Sequence, residues 1–263
     1  MIGARDDSIA GDLVIAAYVF AEGPSILRSG PAGKTTDSEL IALPGQSQFN
    51  RRLRRLTPQI TTVQMMVAEL LAEGRVRLVD GTLISCANYP GCASHSAFAG
   101  HASFGYCSPK SQFVWGMRLV LFCDAKGVPV GYDLVGPKTG EERECALELA
   151  AGQAGALLFA DGGFWGREYL SSMELVNVEL ITPDKHRLGK RPPAEIAKAR
   201  IRLVIESVFS NLKRQMRLET HLAKTLGGLL QRIAQRLLAL TLGVYLNTLI
   251  GRPPRALAAY DGR

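Results

Sequence analysis

The chain has no apolar run of the ~18 residues that a membrane-spanning helix requires. Its longest candidate, Leu237 to Ile250, is broken by Thr241, Gly243 and Asn247 and reads as a buried helix. A secretory leader is missing as well, because Asp6 and Asp7 stand where a leader carries basic residues before its apolar core. The expected location is therefore the cytoplasm. Cysteine is scarce: five residues, an odd count, suit a protein that stays reduced. Compositional bias is absent too. A hydrophobic fraction of 47% is ordinary for a globular protein and excludes disorder, collagen and coiled coil as descriptions of the whole chain. At 263 residues, the expected plan is one main domain with a smaller appendage.

One familiar loop is incomplete. Ser29 to Thr35 is a loop by composition and closes on Gly33-Lys34-Thr35, but position 28, where a phosphate-binding loop needs glycine, is Arg28. No strand precedes it, so this is not a nucleotide site.

What the chain does have is an uneven charge. The net +7 divides into +1 over residues 1–79, −3 over 80–190 and +9 over 191–263, where 13 basic side chains face 4 acidic ones. A basic surface beside a mildly acidic centre points to a polyanionic partner next to a cation site. A solvated basic helix face is the plainer alternative.

Read along the chain, Gln48 to Leu56 is a short basic helix with Phe49, Leu53 and Leu56 on one side. Arg51 and Arg52 either touch phosphates or form a solvated face. A second helix follows Pro58 and runs to about Glu73, with Ile60, Val63, Met66, Val67, Leu70 and Leu71 at helical spacing. The period then changes. Val76–Ile84, Phe113–Cys123 and Val128–Val135 read as strands, the last two joined by a turn at Asp124–Gly127, while residues 85–112 are loop-like. Helices at Glu141–Gly152 and Gly166–Leu175 alternate with short strands at Ala156–Asp161 and Val178–Thr182. This order describes an α/β fold: a mixed five-stranded sheet flanked by helices, its first three strands antiparallel, in a ribonuclease-H-like layout. The expected organisation is a helical region at 1–75, the main domain at 76–250 and a tail at 251–263.

Three carboxylates stand out. Asp80 lies within the first strand, and Asp161 ends the buried fourth strand just before Gly162-Gly163. An acid at the end of an apolar strand costs several kcal/mol to bury unless it is paired or binds a metal. The third, Glu206, sits on a helix whose Ile201, Val204, Ile205, Val208, Phe209, Leu212 and Met216 fill one broad sector. With Arg202 at zero, Lys213 falls at about 20°, Glu206 at about 40° and Arg217 at about 60°, a narrow charged stripe beside the apolar face. An Arg202–Glu206 pair of small energetic value is the plainer reading. Three acids from two strands and a helix suit Mg²⁺, which takes oxygen ligands and keeps several waters. Two such ions can promote phosphodiester transfer, with the neighbouring Arg and Lys on the DNA backbone.

On these residues the chain resembles the DDE transposases of bacterial insertion sequences, over roughly Gln46 to Asn247. The resemblance rests on Leu78-Val79-Asp80-Gly81-Thr82, on Ala160-Asp161-Gly162-Gly163-Phe164, and on Arg202-x3-Glu206-x6-Lys213. Trp115 to Leu121, with Asp124 and Gly127, resembles the family's second strand and turn, and Ile181-Thr182-Pro183 resembles the strand before its last catalytic helix. It implies a ribonuclease-H-like core with Asp80, Asp161 and Glu206 as catalytic metal ligands for two Mg²⁺ ions, with Mn²⁺ as a substitute. Arg202, Lys213, Arg217, Arg118, Arg51 and Arg52 become the candidate DNA contacts. The implied reaction is cleavage and strand transfer at the terminal inverted repeats of an element and its target DNA, by a homo-oligomer on the nucleoid.

Ala199 stands where the family often has Tyr, and Arg118 where it has Lys. Thr36–Ile41 runs almost directly into Leu43–Ser47, which suggests a shortened N-terminal region and, as the alternative function, an inactive DNA-binding remnant. Two further alternatives are a simple nuclease of this fold and a zinc site at Cys86, Cys92, His95, His101 and Cys107, whose spacing departs from that of structural zinc sites.

Overall fold

A computed structural model describes residues 46–87, 93, 95–107, 111–183 and 193–260. The expected shortening before Ser47 falls mostly outside these residues. The described chain opens with helices α1 (Gln46–Arg55) and α2 (Thr57–Leu71) and continues into strands β1 (Val76–Ala87), β2 (Ser103–Cys107), β3 (Gln112–Asp124) and β4 (Pro129–Val135). Then follow α3 (Thr139–Ala151), β5 (Leu157–Phe159), α4 (Arg167–Leu175), β6 (Glu179–Ile181), α5 (Pro193–Arg214) and α6 (Leu226–Leu249).

The fold is α/β, with one mixed sheet flanked by helices and ordered β2-β3-β1-β5-β6, β4 also pairing with β3. β1, β2 and β4 run antiparallel to β3, whereas β5 joins β1 and β6 in parallel. The sheet has six strands rather than five. The additional strand is β2, inside the stretch expected to be loop; at five residues, with Gly105 in the middle, it is too short to show alternation. β1 occupies one edge of β3 along Trp115–Asp124, so β2 and β4 share the opposite edge end to end.

The period of two in β1 distributes its side chains between two cores. Leu78 and Ile84 enter a cluster with Leu119, Leu121, Ile205, Val208, Leu212, Ile233 and Leu237 under α5 and α6. Val79 joins Val120, Phe122, Ala146, Ala150, Leu158 and Met173 under α3 and α4. Asp80 shares the parity of Leu78 and therefore faces α5. The turn between β3 and β4 is fixed by the buried Asp124, whose Oδ1 accepts from the backbone N–H of Lys126 and of Val128, both at 2.9 Å.

α2 turns differently from its expected orientation. Its buried residues are Gln64, Ala68 and Leu71, while Val63, Met66 and Leu70 are exposed. Gln64 Nε2 donates to the Pro129 carbonyl at 2.8 Å and to Thr241 Oγ1 at 3.1 Å, bonds that offset the cost of burying its NH2 group. Leu53 on α1 is buried, but Leu56, just past its end, is exposed. The polar breaks in the last long apolar run have partners too: Thr241 donates to the Leu237 carbonyl at 2.8 Å, and Asn247 Nδ2 donates to that of Pro254 at 3.0 Å. No helix among the described residues is long and apolar enough to cross a membrane.

Candidate active site

β5 pairs with β1 only at Val76–Leu78 and then stops. Beyond that point no strand among the described residues pairs with this edge of β1, and side chains from both faces of the sheet can reach it. A cavity of about 660 Å³ lies there, lined by Asp80, Arg118, Glu142, Asp161, Glu206, Lys213 and Arg214 among others. Asp80 comes from β1, Asp161 from just past the end of β5, and Glu206 from the middle of α5. The three acids singled out in the sequence therefore line one cavity.

Each is oriented locally. Asp80 Oδ1 accepts from the Gly81 N–H at 2.8 Å. Asp161 caps a single 3₁₀ turn, Gly162–Phe164, by accepting from the Gly163 N–H at 2.7 Å. Arg143 holds that turn from outside, its Nε donating to the Gly163 carbonyl at 2.8 Å and its Nη2 to that of Trp165 at 3.0 Å. Glu206 is exposed one helical turn after the half-buried Arg202. The apolar sector of α5 is buried as its periodicity requires, at Ile205, Val208, Phe209 and Leu212. The projection does not carry to Arg217, however. α5 ends at Arg214, and Arg217 lies beyond it in the left-handed region with φ 50°.

A fourth carboxylate was not legible in advance. Glu142, on α3, is buried and forms an ion pair with Arg118 at 3.1 Å. Arg118 also donates to the Pro137 carbonyl at 3.3 Å, so its guanidinium is committed within the protein. Both side chains lie against Gly81, where an added Cβ would fall 2.0 Å from Glu142 Oε1 and 2.9 Å from Arg118 Cδ. The bare Cα next to Asp80 is what lets this pair approach the strand.

The electrostatics follow from this crowding. The Asp80 carboxyl is pushed up to about 6, chiefly by burial; the Gly81 N–H opposes the rise, and the charges of Asp161 and Glu206 add to it. Glu142 is also raised, again chiefly by burial, with Arg118 opposing and Asp80 and Asp161 adding. Because Asp80 binds its proton more tightly folded than unfolded, ionising it costs stability, and that cost grows as pH rises from about 4 through 6. Asp80→Asn is expected to remove the effect. In metal-free buffer its melting temperature should gain on the parent's between pH 4.5 and pH 6.5, and a constant difference would contradict the assignment. Comparing variant with parent cancels the buried His221, whose pKa is lowered chiefly by burial and whose contribution runs the other way.

Among the described residues no three His, Cys, Asp or Glu side chains stand close enough together to cage a metal ion as they are. That applies to Cys86, His95, His101 and Cys107 as well; Cys92 lies outside the described residues. The acids around Asp80 nevertheless suit a hydrated divalent cation. They offer only oxygen donors and open to a cavity.

The family model for the transposase DDE domain matches residues 71–242, about two thirds of the chain. The chain belongs to the DDE transposase family. The match begins at the end of α2 and extends into α6, so it spans the whole sheet and all the residues gathered at the open edge of β1. No curated protein and no solved structure gives a significant match. Within this transposase, Arg51 and Arg52 are exposed on α1, Lys213 and Arg214 line the cavity from the last turn of α5, and Lys213 is 3.8 Å from Glu219. At 100° per residue Arg214 falls off the stripe that carries Lys213, so helical periodicity does not single it out.

Proposed function

We propose that this transposase cuts DNA at the ends of an insertion sequence and joins them to a target, with Asp80, Asp161 and Glu206 as its metal-binding triad. The carrying observation is that these three carboxylates, separated by 81 and 45 residues in the sequence, line one cavity at an open sheet edge. The catalytic unit is residues 76–250. When bound, divalent cations supply Lewis acidity to both the attacking and the leaving oxygen of a phosphodiester.

The protein's own contribution is placement. Asp80 and Asp161 are pinned by backbone N–H groups, while Glu206 reaches in from a helix packed on the same face. Arg202, Lys213 and Arg214 on α5 hold the phosphate backbone by charge-assisted contacts, and Arg51, Arg52 and Arg217 extend the basic surface. Arg118 has a different part: it neutralises Glu142 beside the acids and keeps the shape of the site.

The test is a plasmid carrying the gene's own flanking DNA, incubated with the full-length protein. Nicking and joined products are expected with Mg²⁺ or Mn²⁺ and should vanish when EDTA is in excess. Nicking without joined products would reduce the assignment to a nuclease, and binding without either would reduce it to a DNA-binding protein.

A further inference from the structure

The cavity continues away from the carboxylates. α5 runs alongside β1 from Glu206, near Asp80, towards Ser85, where His221 just beyond the helix meets the Ser85 carbonyl at 2.9 Å. From Glu206 to Arg214 is about 12 Å at ~1.5 Å per residue. The far end of the cavity is lined by Tyr106 and Cys107 of β2. Tyr106 lies directly opposite Phe113 in the antiparallel ladder, and Phe104 lies opposite Trp115. Opposed residues share a face, so all four rings stand on the face that α5 covers further along. Trp115 is buried at the base. Phe104, Tyr106 and Phe113 are 49%, 54% and 70% exposed, a high value for three neighbouring aromatics. Tyr106 and Phe113 meet edge to face, with centroids 5.4 Å apart, so each braces the other while leaving a ring surface free.

We propose that Tyr106 and Phe113, flanked by Phe104, form a ledge on which unpaired nucleobases stack, holding the same DNA strand whose phosphates lie along Lys213 and Arg214. The ledge rests on the reading of DNA as substrate, and it adds to that reading a requirement for locally unpaired DNA. Three features select this occupant. The cavity, about 660 Å³, falls in the ~300–1,000 Å³ range that takes a small ligand, which is room for an unpaired nucleotide. Its walls place Lys213 and Arg214 on one side and the Tyr106 ring, with Phe113 braced against it, at the end, the combination that binds single strands without sequence preference. Tyr106 belongs to the same cavity as the acids, so a base stacked there sits on the strand being processed.

The experiment uses the full chain in EDTA, so that no cleavage can occur, and a single-stranded oligonucleotide of about 12 nucleotides carrying one 2-aminopurine, against its duplex. The parent is expected to quench the probe in the single strand. Tyr106→Ala with Phe113→Ala should abolish quenching and weaken single-strand binding about 10- to 100-fold while leaving duplex binding alone. Tyr106→Phe should preserve both. The salt dependence of binding should be unchanged in the ring variant and shallower in Lys213→Ala with Arg214→Ala, since only the latter loses phosphate contacts. Asp80→Asn should quench like the parent, which separates failure of the ledge from failure of the metal triad. Quenching that survives loss of both rings overturns the proposal. So does a ring variant whose oligomeric mass falls while single-strand binding persists, which would make the ledge a contact between copies of the chain.

Discussion

Asp80→Asn, Asp161→Asn and Glu206→Gln are each expected to lower strand cleavage by a factor on the order of 1,000 or more, equivalent to about 4 kcal/mol of transition-state stabilisation. Each substitution keeps the shape of the side chain and removes its charge. The fold should therefore survive, and the measurement is the initial rate of nicking in Mg²⁺ with circular dichroism as a control. DNA affinity should remain close to the parent's, because the cations of α5 are untouched. A single variant that nicks at the parental rate would remove that residue from the triad. Glu142→Gln makes an informative comparison: Glu142 lines the same cavity but already has Arg118 as its counter-ion at 3.1 Å.

The second large effect is on stability. Gly116 lies in β3 opposite Ser85, next to the register shift of β1 between Ser85 and Ala87. A Cβ there would fall 2.1 Å from the Ile84 carbonyl oxygen and 3.2 Å from the Ser85 Cα, all backbone atoms of the neighbouring strand. No rotamer can relieve such a contact, so the strands themselves must move apart where Ile84, Trp115 and Met117 are buried. Gly116→Ala is expected to cost at least about 3 kcal/mol and to lower the melting temperature by roughly 10 °C. Gly81→Ala makes a useful contrast, because the groups it meets are the movable ends of Glu142 and Arg118. Its cost in stability should be smaller. A Gly116→Ala protein melting within a degree or two of the parent would show that the β1–β3 ladder is looser than its register implies.

The three acids of the proposed triad stand out in the sequence because each sits where chemistry contradicts local environment. Asp80 interrupts an apolar strand, Asp161 ends one before a glycine pair, and Glu206 stands in a charged stripe along an apolar helix. The order of elements along the chain, β2 apart, was readable because β1 and β3 carry apolar runs such as Leu78-Val79 and Leu119 to Cys123. The failures have physical causes. α2 has apolar side chains almost all round, so periodicity alone cannot choose its inner face. The choice is made by Gln64, whose amide finds the Pro129 carbonyl 65 residues away. Glu142 looked like one of several acids opening a helix, and nothing local reveals that Arg118, 24 residues earlier, draws it inward. Arg217 was placed by continuing a helix that had already ended. Tyr106 escapes notice because β2 is too short to announce itself. For Gln64 and Glu142 the missing information was a partner distant in sequence.

β5 has one more consequence. It holds only three register pairs on each side, and its contact with β1 spans about 80 residues of chain. Parallel pairing across so long a loop must recover a large closure entropy from very few bonds. Asp161 rides on the end of that segment. The strand pairing that leaves the sheet edge open is therefore expected to be among the last to lock during folding and the first to release under denaturant. Asp80 and Glu206, held by longer elements, would come into place before the acid that completes them.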